Sequence, residues 1–395
     1  MGEIFLISSI WLFLAIIATI VANKLKISIA LVEIIVGSLF GFIAIQFNFV
    51  ENIQANSEWL KYVASSGAIL LTFLAGAELE PEALKKRFNE VSIIGIIGFL
   101  APFIGAALIS YYFLQWDLRA SLLVGVALST TSMAVVYSVM LEYGLNKTLF
   151  GKGVLGACFI NDLGTVIALG LIFSPFTYKY VIFIAVLVLL IFTLNPITEL
   201  LTKHFAYKTA AIRTKWILFV LFSTGALAVW SGSEAVLPAY ILGMVLAGII
   251  NKDNFFIRRL RTLTIGFLTP FYFLRAGFLM SIPAIISYPI IFIVLFFAKV
   301  ISKIFGLYPV IRKFKEDKNE KWYYTLLMST GLTFGTISAL FGLSNGIISK
   351  EQYSIVVAVV IASAVIPTLI ANNFFLPSHL LDKPLLDDEL SQEEN

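Results

Sequence analysis

The sequence predicts an all-α polytopic membrane protein of about thirteen transmembrane helices, and three observations predict it. Hydrophobic residues make up 59% of the 395 positions and charged residues only 13%, so there is too little polar surface to cover a water-soluble globule. Apolar runs of about 18–25 residues recur along the chain, each long enough to cross a hydrocarbon core as a helix. The basic residues sort into alternate loops, as positive-inside topology requires.

The predicted spans are 4–22, 28–46, 59–77, 91–114, 120–141, 152–174, 178–201, 216–231, 234–250, 262–282, 285–309, 322–343 and 352–375. The first run, Ile4 to Ala22, has neither a basic leader nor a small-residue cleavage site and is expected to remain as a helix. With the N-terminus outside, twenty of the 28 Lys and Arg fall in cytoplasmic loops and four in the opposite ones. A wrong number of spans would scramble that asymmetry. The expected orientation in the cell membrane is therefore N-terminus out and C-terminus in. Residues 381–395 read as a short acidic cytoplasmic tail, and the net charge of +4 gives no reason to expect nucleic acid as a partner once the basic residues are placed in loops.

Two spans are interrupted in matching fashion. Ser129-Thr130-Thr131-Ser132 breaks the fifth, and Ser329-Thr330-Gly331 with Thr333 to Thr336 breaks the twelfth. The three-helix units around them, spans 4–6 and 11–13, would insert with opposite topology, which predicts inverted repeats with two discontinuous helices. The competing reading is that these hydroxyls bond back to their own helices or pack against neighbours. Either reading puts polar groups at membrane depth.

Ionisable residues inside spans are functional candidates because their burial is expensive. Asp162, about ten residues into the sixth span, is the clearest, since a buried carboxylate can hold either a proton or a cation. The alternative is permanent pairing with a buried base. Lys299 and Lys303 lie four apart, hence on one face of the eleventh span, and either is a second titrating candidate; Lys303 is the more plausible to snorkel to the cytoplasmic side. Arg275 must find a carboxylate, carbonyls or water and is expected to be mainly structural. Glu33, Glu78 and Glu234 are weaker candidates for helix pairing or interfacial contacts.

Enzyme chemistry finds no support. The stretch Gly342 to Gly346 matches G-x-S-x-G, but it follows a membrane helix on the predicted outer side while His204 and His379 are predicted inside, so no triad closes. There is no Walker loop, zincin motif or dinucleotide fingerprint, and no cofactor is expected. The single cysteine, Cys158, excludes an internal disulfide and, with two scattered histidines, makes a structural zinc site implausible.

The sequence resembles the monovalent cation/proton antiporters, especially their Kef-like and NapA-like membrane domains, over nearly its whole length. The anchors are Glu33 to Gly37 with Gly41, Leu71 to Pro81, Ser129-Thr130-Thr131, the Asn161-Asp162 pair and Lys303-Ile304-Phe305-Gly306. The resemblance implies an NhaA/NapA-like fold with a core domain, about 91–174 and 285–375, moving in an elevator-like cycle against dimerisation helices, about 1–46 and 178–282. It implies that Asp162 binds the ion with Asn161, Thr130 and Thr131 near it, and that Lys303, or Lys299, is the basic partner; Arg275 joins these as a charge-compensating candidate. Asn-Asp in place of Asp-Asp resembles the electroneutral branch, hence one cation per proton. That branch often has Glu-Ser where this chain has Ala157-Cys158, so its full ion cage is not carried over. Kef-type potassium systems often add a cytoplasmic nucleotide-binding regulator, which favours sodium or lithium here, with potassium as the alternative. A channel or sensor on the same scaffold is the reading from another class. A homodimer is expected, with its interface in spans 1, 2 and 8–9, which are expected to carry no buried charge.

Overall fold

The computed structural model describes residues 2–25, 29–47, 49–50, 53–77, 87–145, 148–173, 177–205, 212–233, 235–250 and 254–381. Among them all regular structure is helical. Glu78, Glu234 and the acidic tail from Asp382 onward lie outside the described residues.

Among the described residues nine helices are long and apolar enough to cross a membrane: α1 (Gly2–Leu25), α2 (Ile29–Gln46), α3 (Glu58–Ala77), α4 (Phe88–Leu108, continued by a π-helical turn to Phe113), α7 (Leu149–Phe173), α8 (Tyr178–Phe205), α9 (Ile212–Trp230), α14 (Pro289–Ile311) and α17 (Lys350–Phe374). Three shorter apolar helices are α5 (Leu118–Ser129), α10 (Val236–Ile250) and α16 (Thr333–Ser344). The remaining helices are α6 (Met133–Glu142), α11 (Asn254–Leu263), α12 (Thr269–Phe278), α13 (Ile282–Ser287) and α15 (Lys318–Leu327). Large apolar side chains point outward along the long helices, Phe13, Leu189, Phe192 and Phe305 among them, as lipid solvation favours.

The fifth predicted span is two short helices, α5 and α6, parted by a non-helical stretch at 130–132. The twelfth is likewise α15 and α16, parted at 328–332. The second interruption is shorter than the sequence suggested, because Thr333 to Thr336 already belong to α16. Asp117 caps α5 by accepting from the Arg119 amide, and Asp317 caps α15 by accepting from the Asn319 and Glu320 amides at 2.8 and 2.9 Å.

The chain forms two compact units. The first comprises Met1–Pro81, Thr165–Ser287 and Leu340–Ser354. Its core gathers Ile7, Trp11, Ala44, Leu60, Phe271 and Phe278, with the rings of Trp11 and Phe278 5.8 Å apart. Helices α2 and α12 touch backbone to backbone: a Cβ on Gly37 would collide with the Leu274 carbonyl, and one on Gly277 with the Ile34 carbonyl. Gly76 on α3 and Gly243 on α10 meet the facing carbonyls of Tyr240 and Phe73 in the same way. Glu33 on α2 is 2% exposed, so the second span does bury an acid, contrary to expectation.

The second unit comprises Glu82–Gly164, Tyr288–Ala339 and Ile355–Asn395. Here α4 packs against both α5 and α14. Both interruptions lie in this unit, as does the first part of α7.

Candidate ion-binding site

The interrupted stretches are fully buried, so every polar group in them must find a partner inside the protein. Most of the hydroxyls turn back on the preceding helix: Ser129 donates to the Val126 carbonyl, Thr130 to Ala127 and Thr330 to Leu327. Thr131 reaches across instead, its Oγ1 donating to the Met328 carbonyl at 2.8 Å. The Ser132 amide approaches Thr330 Oγ1 at 3.4 Å, so the two interruptions are joined to each other directly. Ser132 Oγ then accepts from the Val135 amide and caps the start of α6.

Helix α7 supplies Asn161 and Asp162, 0% and 1% exposed. The Asn161 amide is committed to the first interruption: Oδ1 accepts from the Thr131 amide at 3.0 Å and Nδ2 donates to the Ser129 carbonyl at 3.3 Å. It stands in for the helical hydrogen bonds that the break removes. Asp162 differs, because its Oδ1 is buried without a hydrogen-bond partner. Thr130, Thr131, Asn161 and Asp162 thus belong to the same unit; Thr131 and Asn161 are hydrogen-bonded to each other, and Asp162 follows Asn161 directly on α7.

Helix α14 adds two fully buried ammonium groups. Lys303 Nζ donates to Thr131 Oγ1 at 2.9 Å and interacts electrostatically with Asp162. Lys299, one turn earlier, donates to the Thr130 carbonyl at 3.3 Å. Both heads lie at the end of α5, where the last carbonyls lack helical amide partners and a helix dipole favours positive charge. Gly331 makes room for them, since a Cβ there would collide with Lys299 Nζ and sit 2.9 Å from Thr130 Oγ1. Neither lysine forms a salt bridge with a carboxylate among the described residues, and Lys303 is buried rather than snorkelling.

Arg275 belongs to the first unit, where its Nε donates to the Ala55 carbonyl at 2.7 Å; the neighbouring Ala276 carbonyl accepts from Tyr353 at 2.7 Å. Sequence reasoning passed over Glu90. It is buried in the second unit between Arg87 at 3.0 Å and Lys315 at 2.9 Å. The Lys315 ammonium approaches Oε1 off the hydrogen-bonding direction, so that contact is electrostatic. The Met328 carbonyl was also unforeseen, and a backbone acceptor leaves no side-chain signature. Among the described residues no group of three His, Cys, Asp or Glu could hold a metal ion. The donors at the interruptions are carbonyl and hydroxyl oxygens with one carboxylate nearby, which suits a hard cation.

An all-helical membrane fold with two interrupted helices beside a buried carboxylate defines a secondary transporter class. The sequence model of the family described as sodium/hydrogen exchanger, transmembrane, matches residues 12–374, and the chain belongs to that family. It is 27% identical over 339 residues to the probable Na+/H+ antiporter 3 of Methanocaldococcus jannaschii, spanning 82% of this chain and 86% of that protein. It is 24% identical to the Na+/H+ antiporter NhaS4 of Synechocystis, over 81% of this chain and 83% of that one. The fold is similar to the solved structure of the sodium proton antiporter MjNhaP1 from Methanocaldococcus jannaschii at pH 8, with a TM-score of 0.71 at 16% identity, covering 96% of this chain and all of that one.

Proposed function

We propose that the protein exchanges sodium, or lithium, for protons across the cell membrane by alternating access, one cation per proton, with Asp162 holding each in turn. The Asp162 carboxylate carries this reading: it is buried, and its Oδ1 receives no donor among the described residues. A carboxylate in that state is neutralised by whichever positive species arrives. Asn161, Thr130 and Thr131 shape the interruption that faces the ion, and Lys303 with Lys299 offsets the carbonyl ends. Arg275 offsets carbonyls within the first unit. Asn161 is neutral and engaged with the backbone, so a single carboxylate exchanges a single charge. Membership of the sodium/hydrogen exchanger family supports the sodium assignment. In this reading the N-terminus faces outside, the C-terminus lies in the cytoplasm, and the working form is a homodimer.

The test uses everted vesicles carrying the protein and an imposed pH gradient. Sodium and lithium are expected to dequench a pH-sensitive dye, with potassium measured alongside and Asp162→Asn as the inactive control. Absence of cation-triggered dequenching at every pH tried would refute the reading.

A further inference from the structure

Cys158 and Met328 place two sulfur atoms against each other at the edge of the same cluster. Cys158 lies on α7 four residues before Asp162, hence on the same helix face. Its Sγ approaches Met328 Sδ at 3.6 Å, and both side chains are fully buried. Met328 ends α15, and its carbonyl takes the Thr131 hydroxyl. Its methyl group shares the space facing Gly98 with Asn161: a Cβ on Gly98 would lie 3.3 Å from both Met328 Cε and Asn161 Nδ2. A cysteine and a methionine in contact within a core are ordinary packing. Here they adjoin a carboxylate whose buried Oδ1 is without a partner.

We propose that Cys158 Sγ and Met328 Sδ form a soft subsite beside Asp162 that takes a thiophilic monovalent cation, silver(I) or copper(I). Thiolate and thioether sulfur select such ions over hard ones, whereas the carboxylate and carbonyl oxygens nearby select the reverse. Binding is a ligand exchange without redox change: the metal ion forms a bond to Cys158 Sγ, the thiol proton leaves to water, and Met328 Sδ donates a lone pair. The bridged ion fastens α7 to the end of α15 beside Asp162. A bound soft ion therefore blocks exchange. That consequence rests on the proposed role of Asp162; the binding itself does not.

The purified full chain is titrated with silver nitrate in chloride-free buffer, desalted, and its silver counted by mass spectrometry. The wild type is expected to retain about one ion per chain, Cys158→Ser none, and Met328→Leu to bind about tenfold or more weakly. Asp162→Asn, which has no exchange in the proposed function, is expected to retain silver. X-ray absorption at the silver edge of the wild type is expected to show two sulfur neighbours, which keeps the test decisive where a variant does not fold. Retention by Cys158→Ser equal to wild type, unchanged affinity in Met328→Leu, or a single sulfur neighbour would each overturn the subsite. Silver retained by wild-type protein that shows no cation exchange before silver is added would overturn the proposed function and leave the subsite standing. In proteoliposomes, exchange is expected to stop on silver addition and to return with excess dithiothreitol; exchange that continues with silver bound overturns the blocking role.

Discussion

Lys303 donates to Thr131 Oγ1 at 2.9 Å, and that hydroxyl in turn donates its own hydrogen bond to the Met328 carbonyl. One threonine side chain therefore connects α14, the break between α5 and α6, and the end of α15. Thr131→Val keeps the shape and removes the acceptor of the Lys303 hydrogen bond inside the protein. The expected loss is about 1–3 kcal/mol of stability, read as a lower melting temperature in detergent, and Thr131→Ser is expected to restore it. An unchanged melting temperature in the valine variant would show that the bond contributes nothing.

Gly331→Ala puts a methyl group onto Lys299 Nζ and within 2.9 Å of Thr130 Oγ1. Exchange and thermal stability are both expected to fall. Shortening the obstacle in Gly331→Ala/Lys299→Ala is expected to recover part of the stability, and a double-mutant cycle measures the coupling. Strict additivity of the two substitutions would place the clash elsewhere.

Asp162→Asn is expected to abolish exchange while leaving the size-exclusion profile and melting temperature close to wild type. Among the described residues the carboxylate Oδ1 accepts no hydrogen bond that the amide would lose. Retained exchange would move the ion site to another residue.

Glu90→Gln removes the acid between Arg87 and Lys315, whose side chain is only 6% exposed. Breaking such a pair while leaving the other charge buried costs about 3–5 kcal/mol. Glu90→Gln/Lys315→Met is expected to be markedly less destabilised than Glu90→Gln, since neither charge is then stranded; chemical stability of the three proteins in detergent decides it.

Asp317 caps α15, and the hydrogen bonds from the Glu320 and Asn319 amides hold its carboxyl below the usual carboxylate range. A lowered value in the folded state means that its contribution is complete above the ordinary value of 3.8 and is lost as pH falls through the lower folded value. Asp317→Ala is expected to destabilise by about 1 kcal/mol at neutral pH. The difference between the two proteins is expected to shrink only below about pH 4. A difference that disappears nearer neutrality would assign it to another group.

The spans were legible because lipid solvation writes itself into composition: α1, α8 and α14 are apolar nearly all round. Both interruptions were legible because runs of Ser and Thr recur in two three-helix units of opposite topology; one such run alone reads equally as hydroxyls bonding back to their own helix. Asp162 and the two lysines stood out by their charge alone. What stayed hidden was pairing over long sequence distance. Lys315 was counted as a loop residue and Glu90 fell one position outside a predicted span, yet they meet across 225 residues of chain. Arg275 was rightly seen to need carbonyls or acids, but nothing in the sequence names Ala55 as the residue that accepts its hydrogen bond. The second interruption ended earlier than its threonines suggested, because Thr336 bonds back to the Leu332 carbonyl and sits comfortably in a helix.

The facing glycines of the first unit carry a mechanical consequence. With Gly37 seated on the Leu274 carbonyl and Gly277 on that of Ile34, each helix holds the other in a single axial register. A slip of one residue along either axis would drive a side chain into a peptide group. Gly76 and Gly243 lock α3 and α10 by the same device. Neither pair can act as a sliding joint. Within the first unit these four helices behave as two welded struts, and their tolerance to substitution is set by volume rather than by polarity.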